Sequence, residues 1–147
     1  HAIGEGCFMI EVQEPSDLMG VVEKKTPSGK EIADIKLHGG IGFDNMLKMF
    51  AYKGESFDEI KERYTYSPKK LRENVYEVIG KSVTDKFSIH VIEGGGKITP
   101  PNKNGTVIIT DGKGNINGIE VKKGDRLFFN SDDEITAEGD LKAVICC

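Results

Sequence analysis

Residues 106–129 read TVIITDGKGNINGIEVKKGDRLFF, and this stretch decides the fold. Three short runs rich in β-branched and aromatic residues, TVIIT at 106–110, INGIEV at 116–121 and RLFF at 126–129, are separated by Asp111 with Gly112 and by Lys123 to Asp125. Apolar runs of four to six residues bounded by such turn chemistry read as strands, and connections this short join antiparallel neighbours rather than βαβ units. The same pattern extends outward, with VYEVI at 75–79 and FSIHVIE at 87–93 on one side and LKAVICC at 141–147 on the other. Turns are expected at Gly94 to Gly96 and at Asn104 with Gly105. Six short strands need a second layer or closure to bury their apolar faces, so the tail half is expected to be a small antiparallel β-sandwich.

Upstream the periodicity changes. Phe43, Met46, Leu47 and Phe50 recur at i, i+3, i+4 and i+7, the spacing that lines one helix face. Ser56 with Glu59 three residues on has the form of a capping box, and Phe57, Ile60 and Tyr64 continue on one face until Ser67 and Pro68. Two short helices therefore interrupt the β pattern. Before them, CFMIEVQE at 7–14 reads as a strand stopped by Pro15, Val21 and Val22 as the start of another, and TPSG at 26–29 as the turn after it. The expected division is 1–35, the end of one β lobe; 36–74, a helical linker; and 75–147, a second β lobe.

The chain has 147 residues with 37% hydrophobic and 30% charged content, enough for a sizeable core. No apolar stretch approaches the roughly 20 residues of a membrane span, so no membrane partner is expected. A net charge of −4 argues against binding a phosphate backbone, which needs a basic face, so no nucleic-acid partner is expected either. Cys7, Cys146 and Cys147 form neither a disulfide framework nor a CxxC pair, as in a cytoplasmic protein. The opening HAIGEG lacks the layout of a signal peptide, and residue 1 is expected to be a boundary with further sequence before it.

The run HAIGEGCFMIEVQEPSD, residues 1–17, has a definite order: a histidine, a small-residue turn, an apolar strand carrying Glu11, the pair Gln13–Glu14, then Ser16–Asp17. It resembles the zinc-binding segment of the type I mannose-6-phosphate isomerases, a two-lobed cupin family. GIGFDNMLKMF at 40–50 and the stretch ending in VKKGDRLFF resemble the family's inter-lobe helices and carboxy-terminal lobe. The resemblance implies a mainly β, cupin-like antiparallel sandwich or jelly roll with a short helical insertion. It also implies a parent enzyme that interconverts mannose 6-phosphate and fructose 6-phosphate through an enediol, with one zinc ion as Lewis acid. Of the family's ligands, a glutamine, a histidine, a glutamate and a final histidine, only the last falls in this chain, at His1. Glu11 matches a glutamate that faces the catalytic cleft, where a carboxylate can take part in proton transfer, and Asp17 matches the aspartate of a Ser-Asp-x-x-x-Arg pattern. Val21 stands where that pattern has its arginine, so the cation comes from elsewhere, such as Lys24 or Lys25, or the chemistry differs.

The residues taken without the resemblance give plainer readings. Glu11 and Gln13 share one face of a strand by alternation, which a solvated edge also produces. His38 and His90 have no second histidine at ligand spacing and read as structural, and the second lobe carries no metal motif of its own. GEGC at 4–7 and GGGK at 94–97 lack the order of a phosphate loop and read as turns. Alternation sends one of Cys146 and Cys147 inward and leaves the other an oxidisable thiol. The isolated chain is expected to be inactive, to act on a sugar phosphate only within its parent, and to form a homodimer through the exposed sheet edge of residues 1–35. The alternatives are a cupin-like carbohydrate-binding or regulatory module without catalysis, and an isomerase of a different sugar phosphate.

Overall fold

The computed structural model describes residues 6–13 and 20–147. The chain forms two compact units, the first ending at Ser56 and the second spanning Phe57–Cys147. In the first unit, the strand expected over residues 7–14 is not formed in its described part, residues 7–13. Residues 7–13 carry no regular secondary structure, and all of them except half-buried Ile10 are exposed. A strand needs a neighbour to complete its ladder, and no described strand pairs with this segment. Val21 and Val22 likewise lie outside any strand; the Val21 amide donates to the Leu37 carbonyl at 2.9 Å. The TPSG turn is present. Gly29 takes φ +82°, its amide donates to the Thr26 carbonyl at 2.8 Å, and a single antiparallel bridge joins Lys25 to Glu31.

Two short helices follow, α1 (Asp34–Leu37) and α2 (Phe43–Leu47), with Leu37 and Met46 buried. The helix expected to run to Phe50 stops three residues early. Beyond Leu47 the amides of Lys48, Met49 and Phe50 donate to carbonyls only three residues back, so the chain tightens into turns. Gly20 lies against the Met46 side chain, where an added Cβ would stand 3.0 Å from its Cγ.

The second unit opens with α3 (Phe57–Tyr64), as the periodicity predicts, although Phe57, Ile60 and Tyr64 remain exposed. Eight strands follow: β1 (Lys69–Arg72), β2 (Val75–Ile79), β3 (Ile89–Glu93), β4 (Gly96–Ile98), β5 (Gly105–Ile116), β6 (Ile119–Lys122), β7 (Arg126–Phe129) and β8 (Ile135–Cys146). Every pairing is antiparallel. The mainly β, antiparallel architecture expected from the sequence is the one observed.

The organising element is a long ribbon of β5 and β8, paired from Thr106↔Cys146 to Ile116↔Ala137. Its two halves belong to different layers. The end near Cys146 carries β3, β2 and β1 on one side and β7 on the other, while the end near Ala137 carries β4 and β6. Between them the ribbon bends, at a register shift between Ile109 and Asp111 and at Gly112 (φ +72°) and Gly139 (φ +104°). Asp111 with Gly112 is therefore not the turn the sequence suggests. Without a Cβ the strand bends there and keeps its pairing, with Asp111↔Lys142 and Gly112↔Leu141. The reversal comes later, at Asn117 (φ +49°) and Gly118 (φ +85°), inside the run read as one strand, INGIEV. Two left-handed residues make the tight hairpin turn favoured by Asn-Gly. The Asn117 carboxamide accepts from the Thr136 amide at 2.6 Å and donates to the Glu134 carbonyl at 3.2 Å, tying the hairpin to the start of β8.

The bend folds the two layers over one core. Val75, Ile92, Val107 and Ile145 from one layer meet Ile98, Ile116, Val121 and Ile135 from the other. Period-two alternation generates this inward face: along β8, Ile135, Ala137, Leu141, Ala143 and Ile145 are buried. Among the described residues no helix is long and apolar enough to cross a membrane.

Candidate functional site

Of the residues marked out by the sequence, Glu11 is exposed and lies outside any strand, and His1 and Asp17 lie outside the described residues. Val21 is half-buried and Lys24 and Lys25 are exposed. Among the described residues no three His, Cys, Asp or Glu side chains are grouped to hold a metal ion, so they do not by themselves fit a zinc ion.

The second unit instead assembles a polar cluster that no single stretch of sequence announces. Strand register sets Glu77 of β2 opposite His90 of β3. Ser88 and Cys147 extend the β3–β8 ladder by one pair, the Ser88 amide donating to the Cys147 carbonyl at 2.5 Å and the Cys147 amide to the Ser88 carbonyl at 3.1 Å. Ser88 and His90, two residues apart, share the inward face. The His90 Nδ1 lies 3.4 Å from Ser88 Oγ, which lies 3.0 Å from Cys147 Sγ, and the His90 Nε2 lies 3.9 Å from Glu77 Oε2. Burial holds the His90 pKa below the ordinary imidazole value, and the Glu77 carboxylate opposes it without overcoming it. His90 is therefore neutral at pH 7, and the network assigns its proton to Nε2, facing the carboxylate, leaving Nδ1 to accept from Ser88.

This row of carboxylate, imidazole, hydroxyl and thiol is an acid–base chain in form. Its middle is closed, because His90 and Ser88 are only 3% and 6% exposed. Only Glu77 and Cys147 reach the surface, Glu77 on a cavity of about 130 Å³ that Tyr66, Lys69 and Ser82 also line. The Glu77 carboxyl occupies the space over Gly80, where any Cβ would collide with it. A closed row of this kind fastens the ends of β2, β3 and β8 together and offers a substrate no path to the hydroxyl. Sequence reading treats His90 and the cysteines one by one. Alternation could have paired Ser88 with His90, but Glu77 joins them only through the inter-strand register that runs from Val75↔Ile92 to Glu77↔His90.

A second feature is an open groove of about 760 Å³ where β5, β6 and β8 run side by side. Register sets Lys113 between Lys122 and Asp140, and Glu120 and Asp125 complete a wall of mixed charge. Gly114 and Gly139 leave the backbone uncovered, with an ideal Cβ at Gly139 only 2.9 Å from the Gly114 Cα. The volume suits a small polar ligand, and alternating charges with bare backbone amides and carbonyls suit hydroxyl groups. The sequence conceals this groove, since DGKG reads as a turn until β5 is seen to continue through it.

No protein-family model matches the chain, and no curated protein matches it. Solved structures similar to it include ectoine synthase from P. lautus, at 15% identity over 64% of this chain and 75% of that one, with a TM-score of 0.42. Also similar are an RmlC-like cupin from Shewanella frigidimarina, at 14% identity over 64% and 88% with a TM-score of 0.38, and a cupin-2 domain protein from the same organism, at 13% over 73% and 92% with a TM-score of 0.32. The structural neighbours thus include cupins, and the chain's own strand order and register define its antiparallel β class.

Proposed function

We propose that this chain is the carboxy-terminal part of a zinc-dependent aldose–ketose isomerase of the type I mannose-6-phosphate isomerase kind, with Phe57–Cys147 as a supporting lobe. The observation that carries this reading is the run HAIGEGCFMIEVQEPSD, in which a histidine, a glutamate and Ser-Asp follow one another in the family's order. The supporting role of the second unit draws on its aliphatic core, a single cluster that includes residues from Val75 to Ile145. In the intact parent, His1 would complete a zinc site whose other ligands come from upstream, and zinc would supply Lewis-acid polarisation. Glu11 would move the proton between C1 and C2, and Asp17 would orient it or the substrate. The test is conversion of fructose 6-phosphate to mannose 6-phosphate by the parent, with and without zinc. Turnover that chelation abolishes and zinc restores supports the reading; no turnover at saturating zinc refutes it.

A second reading is a cupin-like carbohydrate-binding or regulatory module without catalysis. Val21 in place of the family's arginine favours it, because a valine has no donor for enediol or phosphate charge. The groove beside Lys113 and Asp140 is where such a module would hold sugar hydroxyls. Binding of a hexose phosphate without turnover, lost in Asp140→Ala, would select this reading.

A further inference from the structure

Strand register places three exposed charged side chains in one row along the groove: Lys122 of β6, Lys113 of β5 and Asp140 of β8. Elsewhere around the bend of the ribbon, lysines are neutralised by acids, with Lys142 Nζ at 2.6 Å from Glu93 and Lys123 Nζ at 3.3 Å from Asp111. The row differs. Among the described residues, neither the Lys113 nor the Lys122 ammonium makes an ion pair or hydrogen bond, and neither do the carboxylates of Asp140 and Glu120. Asp125 accepts from the Lys122 backbone amide at 2.8 Å rather than from its ammonium. Two like charges set directly opposite each other across a ladder destabilise the sheet when nothing lies between them. The groove they flank holds about 760 Å³, and a second hollow of about 410 Å³, lined by Gly112 and Leu141, shares Asp140 with it.

We propose that Lys113 and Lys122 form an anion clamp and that the groove binds a small phosphate monoester, its phosphate between the two ammoniums and its hydroxylated body toward Asp140. A phosphate brings nearly two negative charges and three strong acceptor oxygens, so one group satisfies both lysines and turns their repulsion into two charge-assisted contacts. A carboxylate, with one charge, neutralises only one of them. Glu120, Asp125 and Asp140 stand around the pair, so an extended polyanion is repelled while hydroxyl groups find acceptors. From Lys122 to Asp140 the row crosses two strand spacings, roughly 10 Å, which a single small molecule spans. With no Cβ at Gly114 or Gly139, its body lies against bare backbone. The assignment rests on the binding-module reading of this groove and deepens it by adding the charged group and its place. It also carries a consequence for stability: the unliganded chain should gain or hold stability when either lysine loses its charge, the reverse of what a lysine with a structural role would show.

The test is isothermal titration calorimetry of the full chain at low ionic strength, with glucose 6-phosphate, inorganic phosphate and glucose as probes. Glucose 6-phosphate should bind, and Lys113→Gln and Lys122→Gln should each weaken it about tenfold or more, the effect of losing a hydrogen bond to a charged group. Lys86→Gln, at an exposed lysine outside the groove, should leave it unchanged. Asp140→Asn should weaken glucose 6-phosphate and not inorganic phosphate. Melting temperatures of the unliganded lysine variants should equal or exceed that of the unaltered chain, which separates loss of the clamp from loss of the fold. Affinity for glucose 6-phosphate that neither groove lysine affects overturns the proposal, and so does a loss that Lys86→Gln reproduces, since that is general charge attraction. If glucose binds as tightly as its phosphate and neither lysine matters, the clamp fails and the module reading stands; no binding of any probe at millimolar concentration overturns both.

Discussion

Replacing Gly139 by alanine should be among the most damaging single-methyl additions available in the second unit. Gly139 sits at φ +104° on the bend of the β5–β8 ribbon, a conformation that costs an L-residue about 1–3 kcal/mol. The new methyl would also stand 2.9 Å from the Gly114 Cα and 3.1 Å from the Lys113 carbonyl oxygen. Both neighbours are backbone and cannot rotate away, so relief requires the two strands to separate, adding about 1–3 kcal/mol by analogy with overpacked cores. The sum, about 2–6 kcal/mol, would lower the melting temperature by at least ~10 °C in a unit of this length. Gly118→Ala is the matched control: its φ is +85°, but nothing lies within 4 Å of the added methyl, so only the backbone cost of about 1–2 kcal/mol applies. Thermal unfolding followed by far-ultraviolet circular dichroism compares the two directly. If Gly139→Ala melts no lower than Gly118→Ala, the close approach at the bend does not exist and the two-layer account of the fold fails.

Further outcomes follow from the same structure. Because burial lowers the His90 pKa in the folded state, the unfolded chain binds its proton first, so stability should be level above about pH 6.5 and fall as the pH drops below it. Urea midpoints across that range, compared with those of His90→Gln, check this, and equal slopes in the two proteins would refute it. Cys146, whose thiol pKa is raised by burial and then by the adjacent Cys147, should react with a disulfide reagent more slowly than exposed Cys7, as mass spectrometry of partly labelled protein would reveal. In the intact parent, Glu11→Gln should lower kcat about 100-fold or more while leaving the KM for fructose 6-phosphate within a few-fold, as expected of a proton-transfer group; an unchanged kcat would remove Glu11 from the chemistry.

The sequence by itself determined that the second unit is built of short antiparallel strands and located the greater part of them, while β1, β4 and the first half of β8 escaped it. RLFF and VYEVI coincide with β7 and β2, because β-branched and aromatic runs between turn residues are a local signal. The α3 helix was equally legible from its period. Its mainly β class follows from these alone. Tertiary structure decided where the chain reverses and where it merely bends. Both Asp111-Gly112 and Asn117-Gly118 can turn, and only the pairing of β5 with β8 makes the first a bend and the second the hairpin. It also decided that CFMIEVQ, a strand by its pattern, forms none, since a ladder needs a neighbour that no local pattern can supply. The Glu77–His90–Ser88–Cys147 row belongs to the same category: its members span 71 positions of sequence, and inter-strand register, a long-range property, is what brings them within hydrogen-bonding and charge range of one another.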